Sequence, residues 1–164
     1  MRIVLEPKIY ELHNKEVICR LYNCDSDQKK IINTLYKKLQ ENNGIEKLKK
    51  QDKEYFYNSE KNFRLIAEIN SEIVSSVVIM SDEDFERDLS VELYSVVTLD
   101  EYQGTGITKI LFNYTFEWIK ALGAKKVRLW TDIDNLKAQK FYEKVGFIEL
   151  ERDEKAVYYH RNVN

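Results

Sequence analysis

The sequence predicts a single α/β domain over residues 1–164, with a mixed, mostly antiparallel central sheet flanked by helices. Three observations indicate this class: two β-rich runs that meet in a tight turn, one strand–loop–helix–strand unit, and two β-rich runs near the C-terminus. A length of 164 residues fits one domain with an ordinary hydrophobic core. The sequence shows no repeat, low-complexity tract or linker, so we expect one folded core over about residues 17–161.

The N-terminal part predicts one strand followed by helix. Residues 17–22 (VICRLY) are typical of a strand, and Asp25 with Gln28 three positions later resembles a capping box that opens a helix. That helix is expected to end at Gly44, and residues 45–57 continue as a weaker helix with a charged, solvated face. The apolar stripe of the first of these two helices consists of Ile31, Ile32, Leu35, Tyr36 and Leu39.

The middle of the chain predicts three strands. Residues 63–69 and 72–80 are β-rich and flank Asn70 and Ser71, which predicts an antiparallel hairpin with a two-residue turn. After an acidic segment, residues 91–99 (VELYSVVTL) predict the third strand. Regular alternation places four residues on one face, whose polar members can line a cleft: Glu92, Tyr94, Val96 and Thr98.

A strand–loop–helix–strand unit comes next. The loop at residues 103–108 opens a helix, and residues 125–131 (KKVRLWT) form the following strand. Such a crossover makes its two strands parallel, and in open α/β sheets ligands bind where the first strand ends and the helix begins. The apolar stripe of this helix consists of Ile107, Ile110, Leu111, Tyr114, Trp118 and Leu122.

The C-terminal part predicts a short helix and two closing strands. Asp134 or Asn135 is expected to cap this helix, and Gly146 ends it. Residues 147–153 and 156–161 then read as a strand pair. The apolar side of the helix consists of Ala138, Phe141, Tyr142 and Val145.

Composition and the lengths of apolar runs argue against several classes of function. Twenty-six basic and 28 acidic residues give a net charge of −2, without the basic excess of a nucleic-acid binder. No apolar run approaches the roughly 18 residues of a membrane span, and no secretion signal is evident, so we expect a soluble cytoplasmic protein. Cys19 and Cys24 are expected to be reduced thiols, and the isolated His13 and His160 predict no metal site.

Gly104 and Gly106 stand one residue apart just before the predicted helix. A plain tight turn is the commoner role of such a pair, but the backbone amides of Gln103 to Thr108 can also form an anion site without a basic side chain. The sequence does not match two known nucleotide-binding motifs. No GxxxxGK[ST] string is present, and Lys109 stands where GxGxxG needs its third glycine.

At this point the sequence resembles the GCN5-related N-acetyltransferase family. Residues 96–111 match its phosphate loop, Gln/Arg-x-x-Gly-x-Gly/Ala, through Gln103 and Gly106. Thr108 replaces the usual small residue and Asp100 a frequent proline, and the Thr108 hydroxyl is a candidate donor to phosphate. A second signature of the family is matched by Asn135, Ala138, Phe141, Tyr142, Lys144, Gly146 and Phe147.

The resemblance implies acetyl-CoA as co-substrate and no metal. Its diphosphate would bind the loop amides, its pantetheine arm would pair with an exposed strand edge, and its thioester would lie where the parallel strands splay, between residues 97–99 and 130–131. Asn135 would contact pantetheine or brace the loop, or it only caps its helix. The cofactor set implied is Val97, Thr98, Leu99, Gln103, Gly104, Thr105, Gly106, Ile107, Thr108, Asn135 and Ala138.

Two residues are the candidate catalysts. An amine is mostly protonated at neutral pH and needs a base, for which Glu92 is the candidate, although a surface or ion-paired carboxylate is the alternative. Tyr142 matches the family's general acid toward the CoA thiolate, against the alternative of a core tyrosine. Tyr94 and Trp130 are candidates for the acceptor pocket, although aromatic side chains more often serve packing.

These features predict direct acetyl transfer to a primary amine in a ternary complex, with no covalent acetyl carrier. The alternatives are a non-catalytic acetyl-CoA sensor or interaction module of the same fold and, more weakly, a dinucleotide-binding domain. The acceptor is a small-molecule or peptide amine that the sequence does not identify. The acidic segment 82–88 can attract a cation but is more often just a soluble surface, and 20 aromatic residues are compatible with a homodimer.

Overall fold

The computed structural model describes residues 4–31, 35, 62–81 and 87–164. Its strands form one eight-stranded sheet in the order β1-β2-β3-β4-β5-β6-β8-β7, and only the β5–β6 pair is parallel. The predicted mixed, mostly antiparallel class is therefore confirmed. The described elements are β1 (Lys8–Leu12), β2 (Lys15–Leu21), α1 (Cys24–Ile31), β3 (Asn62–Ile69), β4 (Glu72–Met80), β5 (Ser90–Thr98), a 3₁₀ turn (Asp100–Tyr102), α2 (Ile107–Ala121), β6 (Lys126–Asp132), α3 (Leu136–Lys144), β7 (Ile148–Arg152) and β8 (Ala156–Asn162).

The N-terminal region differs from the sequence prediction in two places. The edge strand β1 was not predicted, because its short run KIYEL is mostly exposed and carries little apolar signal. It pairs with β2 through His13 and Asn14, which both have positive φ. Asn23, and not Asp25, caps α1, since its side-chain oxygen accepts from the amides of Asp25 and Ser26 at 2.9 and 3.3 Å.

The predictions between residues 31 and 88 concern two helices, a hairpin turn and the acidic segment. The two-residue hairpin turn at Asn70 and Ser71 is confirmed, with φ of 50° and 63°, the left-handed geometry that suits the twist of the two strands. The predicted continuation of the first helix to Gly44, the weaker helix at 45–57 and most of the acidic segment lie outside the described residues. Leu35, from the predicted stripe, is fully buried.

A β-bulge in β5 corrects the predicted alternation. Glu92 pairs with Met80 and Tyr94 with Val78, but Val97 then pairs with Ser76, so β5 holds one extra residue. Ser95 lies at this bulge with a φ of 51°. The extra residue shifts the alternation, so Val97 and not Val96 shares the face of Glu92 and Tyr94. The prediction that Thr98 shares that face is wrong.

The sheet has two faces that matter for the site. Helix α2 packs on the face that carries Phe63 and Leu93, where Trp118 contacts Phe63 with tilted rings whose centroids are 5.5 Å apart. We call this side the α2 face. Because Glu92 pairs directly with Arg128 and residues two apart share a face, the other side carries Glu92, Tyr94, Val97, Arg128 and Trp130. We call it the Glu92 face.

None of the helices in the described ranges is long and apolar enough to cross a bilayer. Cys19 and Cys24 are free thiols, as expected, and burial raises the pKa of Cys19 to about 12. Cys19 therefore behaves as a small core residue.

A buried ion network fastens α1 to the sheet. The Arg20 guanidinium donates two hydrogen bonds to Asp27, at 2.6 and 2.8 Å, and one to Glu68 at 2.9 Å. Asp27 is only 1% exposed and also accepts from the amide of Asn23. Burial opposes its ionisation, but the bonds from Arg20 and Asn23 outweigh that cost and lower the pKa of Asp27.

Replacing Arg20 by methionine should destabilise the fold by about 3–5 kcal/mol, because it leaves the Asp27 charge buried without its partner. The matched control is Lys30→Met, whose ammonium contacts the same Glu68 from a more exposed position and should cost about 1 kcal/mol or less. Since the folded pKa of Asp27 is depressed, its contribution is complete above the unfolded pKa and is lost as the pH falls through the folded one. Urea unfolding at pH 7 and pH 3 measures both effects, and equal losses in the two variants would contradict this account.

Candidate active site

The parallel pair β5–β6 opens into a gap. The strands pair only through Ser90–Glu92 and Lys126–Arg128, although β5 continues to Thr98 and β6 to Asp132. Beyond Glu92, β5 is held by β4 and β6 by β8, so their facing edges diverge with no described strand between them. The predicted splay is confirmed, and it leaves unpaired backbone groups that an extended ligand can use.

The glycine loop lies beside this gap, at the N-terminus of α2. Gly104 and Gly106 have φ of 75° and 98°, which side-chain-bearing residues rarely adopt. The amides of Gln103 and Thr105 bond within the loop, to Asp100 and Tyr102. Within the described ranges, no acceptor meets the amides of Gly104, Gly106, Thr108 and Lys109. A Cβ at Gly104 would meet nothing within 4 Å, so the loop faces open space with free donors, as an anion site requires.

Gln103 ties this loop to two other elements. Its side-chain amide donates to the carbonyl of Thr98 and to Asp100, both at 3.3 Å. Its side-chain oxygen accepts from the Lys137 ammonium at 2.7 Å, which brings a cation from α3 to the loop. Sequence analysis missed Lys137. A basic residue between Asn135 and Ala138 is visible in the sequence, but only the folded structure shows that the first turn of α3 brings it to Gln103.

The N-terminus of α3 is locally determined. Asn135 caps it, with its side-chain oxygen accepting from the amide of Ala138 at 3.1 Å, so the capping alternative is observed. Gln139 donates to the carbonyls of Asp132 and Ile133, which holds the β6–α3 connection against the helix.

Tyr142 lies inside an aromatic cluster on the α2 face. It is 6% exposed, and its ring packs against Phe112, Phe141, Phe147 and Tyr159, with centroids 5.7–6.2 Å away. Burial, with a smaller contribution from Tyr159, raises the pKa of Tyr142 to about 12. The phenol therefore stays protonated at physiological pH, and no described residue hydrogen-bonds its hydroxyl. The hydroxyl therefore carries a proton, although burial makes it a weaker acid than a free phenol.

The Glu92 face carries the other candidate residues. Glu92 is half-buried at the last paired position before the gap, opposite Arg128, which forms an ion pair with Asp88. Trp130 is 52% exposed and so is not a core residue, and Tyr94 is half-buried near Asn62. Glu92 and Tyr142 thus lie on opposite faces of the sheet. The gap between β5 and β6 is an opening between these faces.

An open depression of about 610 Å³ lies at the end of β6. It is lined by Asp132, Ile133, Asp134, Asn135, Glu154 and Lys155. Three carboxylates against one ammonium make this rim favourable for a cation. Across the described ranges, no group of three or more His, Cys, Asp or Glu side chains is placed to hold a metal ion.

Sequence comparison matches this chain to one family. The model of the acetyltransferase (GNAT) family matches residues 30–147. N-alpha-acetyltransferase 30 of Schizosaccharomyces pombe is 29% identical over 98 residues, which cover 60% of this chain and 65% of that protein. An uncharacterized N-acetyltransferase of Methanocaldococcus jannaschii is 27% identical over 106 residues, which cover 63% of this chain and 43% of that one. The chain therefore spans less than two thirds of either relative.

Solved structures show the same fold. The GNAT domain of S. lividans PAT aligns with a TM-score of 0.83 at 15% identity, over 95% of this chain and 96% of that one. PaiA N-acetyltransferase from Thermoplasma acidophilum, solved in complex with coenzyme A, aligns with a TM-score of 0.69 at 18% identity, over 89% and 98%. Identities this low establish the fold alone.

Proposed function

This chain belongs to the GNAT acetyltransferase family, and from that premise we propose that it transfers the acetyl group of acetyl-CoA directly to a primary amine in a ternary complex. One observation carries the proposal. The sheet opens between β5 and β6 beside the free amides of the glycine loop, Glu92 stands at the last paired position before this opening, and the protonated phenol of Tyr142 lies on the other face of the sheet. An acyl thioester lying in the gap would be open to attack from one side and to protonation from the other.

The glycine loop and the strand edge would hold the cofactor. The free amides of Gly104, Gly106 and Thr108 suit the diphosphate, because a helix N-terminus favours negative charge. The β5 edge at Val97–Leu99 would pair with the two amides of pantetheine as an added strand does. Gln103 and Asn135 would act mainly by fixing the loop and the α3 terminus, which is what their bonds in the structure do.

The chemistry divides between Glu92 and Tyr142. An alkylammonium with a pKa near 10.4 must lose a proton before it can attack, and Glu92 would accept that proton directly or through water. The amine nitrogen then bonds to the thioester carbonyl carbon, the nitrogen of the tetrahedral intermediate loses its second proton to solvent, and collapse of the intermediate breaks the carbon–sulfur bond. Tyr142 would deliver its proton to the departing sulfur, and the phenolate would be reprotonated from solvent.

The acceptor is proposed to be a cationic amine on a small molecule or peptide. The acidic depression and the exposed indole of Trp130 lie on or beside the Glu92 face, and both attract cations. Tyr94, on the same face, would form another side of the acceptor pocket. Because the carboxylates lie at the end of β6, a second positive charge away from the reacting amine would be recognised there.

Calorimetric titration with acetyl-CoA, followed by a thiol-release assay against a panel of amines, tests the proposal. The panel contains a polyamine, an aminoglycoside, a lysine-containing peptide and a peptide with a free N-terminus. Saturable binding together with thiol release for at least one amine is the expected result. No saturable binding at millimolar acetyl-CoA would overturn the proposal, and binding without release for every amine would favour a non-catalytic sensor.

Lys137 is proposed to contribute to cofactor binding, because its ammonium meets Gln103 at the rim of the loop and has no described carboxylate partner within ion-pair distance. Lys137→Met should weaken acetyl-CoA binding about three- to tenfold, roughly 1 kcal/mol. The loss should shrink as salt concentration rises, since the contribution is that of an exposed charge. Lys140→Met, one turn along α3 and exposed, is the matched control. Equal dissociation constants for the two variants in calorimetry would contradict this role.

A further inference from the structure

Three hydroxyl groups from three different elements form a hydrogen-bonded chain beneath the glycine loop. Thr108, in the first turn of α2, lies 2.7 Å from Thr98 at the end of β5, oxygen to oxygen. Thr98 lies 2.8 Å from Ser75 of β4, and Ser75 donates to the carbonyl of Val97 at 3.1 Å. Ser75 and Thr98 are buried and directly opposite each other in the sheet.

The direction of every bond in this chain follows from proton counting. A carbonyl can only accept, so the single hydroxyl proton of Ser75 goes to Val97. Ser75 must then accept from Thr98, whose proton is used there, and Thr98 must accept from Thr108. Each hydroxyl therefore donates once, and the chain runs from α2 through β5 to β4.

This direction changes the role expected for Thr108. The sequence suggested its hydroxyl as a donor to phosphate, but in the intact chain its proton is already committed to Thr98. The Thr108 hydroxyl instead links the two ends of the loop. Residues 99–107 leave β5 and return to α2, and the Thr98–Thr108 bond joins the two ends of this segment.

We propose that Ser75, Thr98 and Thr108 are positioning residues that hold the phosphate loop at a set distance from the β5 edge. This inference rests on the proposed function, because that loop and that edge would bind the two ends of one cofactor. A cofactor bound by its diphosphate at the N-terminus of α2 and by its pantetheine on β5 requires a fixed distance between the loop and the strand edge. A displacement of about 1 Å at a reacting group can cost about a hundredfold in rate, so a side-chain bond between the supports matters beyond its contribution to stability.

The test uses Thr108→Val, which keeps the shape and removes the hydroxyl, and Thr108→Ser, which restores it. Thr108→Val should raise the KM and the dissociation constant for acetyl-CoA about tenfold, and Thr108→Ser should return both to within about twofold of the wild type. Thr115→Val is the matched control, since Thr115 is a fully buried threonine of the same helix whose hydroxyl donates to the Leu111 carbonyl within α2. It should lower the melting temperature without changing acetyl-CoA binding.

Ser75→Ala separates this proposal from a direct bond between Thr108 and phosphate. Among the described residues, the Ser75 hydroxyl bonds only to Val97 and Thr98, so it is linked to the loop through Thr98. Its loss should weaken acetyl-CoA binding at least about threefold, and the Ser75→Ala/Thr108→Val double variant should be less affected than the two effects combined. Wild-type affinity in Ser75→Ala or in Thr108→Val would overturn the proposal. If the wild-type protein fails to bind acetyl-CoA, the proposed function itself fails.

Discussion

Tyr142→Phe is expected to lower kcat by about 10²–10⁴-fold, the usual contribution of a positioned general acid, while acetyl-CoA affinity changes about twofold or less. The substitution removes one oxygen and keeps the ring that packs against Phe112 and Phe147. The CoA thiolate would then have to leave without a proton from the enzyme. Steady-state kinetics at saturating acetyl-CoA, with calorimetry for affinity, measures the two effects separately.

The control for this variant is Tyr159→Phe, a second phenol in the same aromatic cluster, for which no catalytic role is proposed. It should retain kcat within about threefold. The pH profile gives another check. Since the acid form must be present and burial raises the pKa of Tyr142 to about 12, Tyr142 should cause no loss of kcat between pH 7 and about pH 10. An unchanged kcat in Tyr142→Phe would remove it from the mechanism.

Glu92→Gln is expected to lower kcat by about 10²-fold or more at neutral pH, because the amide cannot accept the proton of the attacking ammonium. The defect should shrink as the pH approaches about 10, where the amine loses its proton to solvent without help. Measurement of kcat from pH 6 to pH 10 with one good amine acceptor tests this. Glu101→Gln, an exposed carboxylate close to the loop, is the control. A constant ratio of wild-type to Glu92→Gln rates across this range would rule out the role of base.

Local sequence signals predicted much of the fold and the glycine loop before α2. The Asn70–Ser71 turn, the glycine pair before α2 and the cap of α3 are decided by a few neighbouring residues, so they can be read from a short window. The family was likewise visible in two short motifs. The roles of Glu92, Tyr142 and the cofactor set stay predictions, because they concern molecules that must be added to the protein.

Sequence reasoning failed where long-range pairing decides the outcome. The bulge at Ser95 moved Thr98 to the α2 face and Val97 to the Glu92 face, since one extra residue reverses a period-two pattern. Strand β1 was missed because an exposed edge strand needs little apolar character. Lys137 was missed because its contact with Gln103 joins residues 34 positions apart.

The sequence by itself determined most of the described strands and helices, where the glycine loop before α2 lies and which family the motifs resemble. Only the tertiary structure decided where side chains lie relative to one another: that Glu92 and Tyr142 lie on opposite faces of the sheet, and that Thr108 bonds to Thr98 rather than pointing to solvent. The reason is physical. Backbone propensity and capping depend on neighbours in the chain, whereas faces, gaps and side-chain pairs depend on sheet register, which hydrogen bonds between distant segments establish.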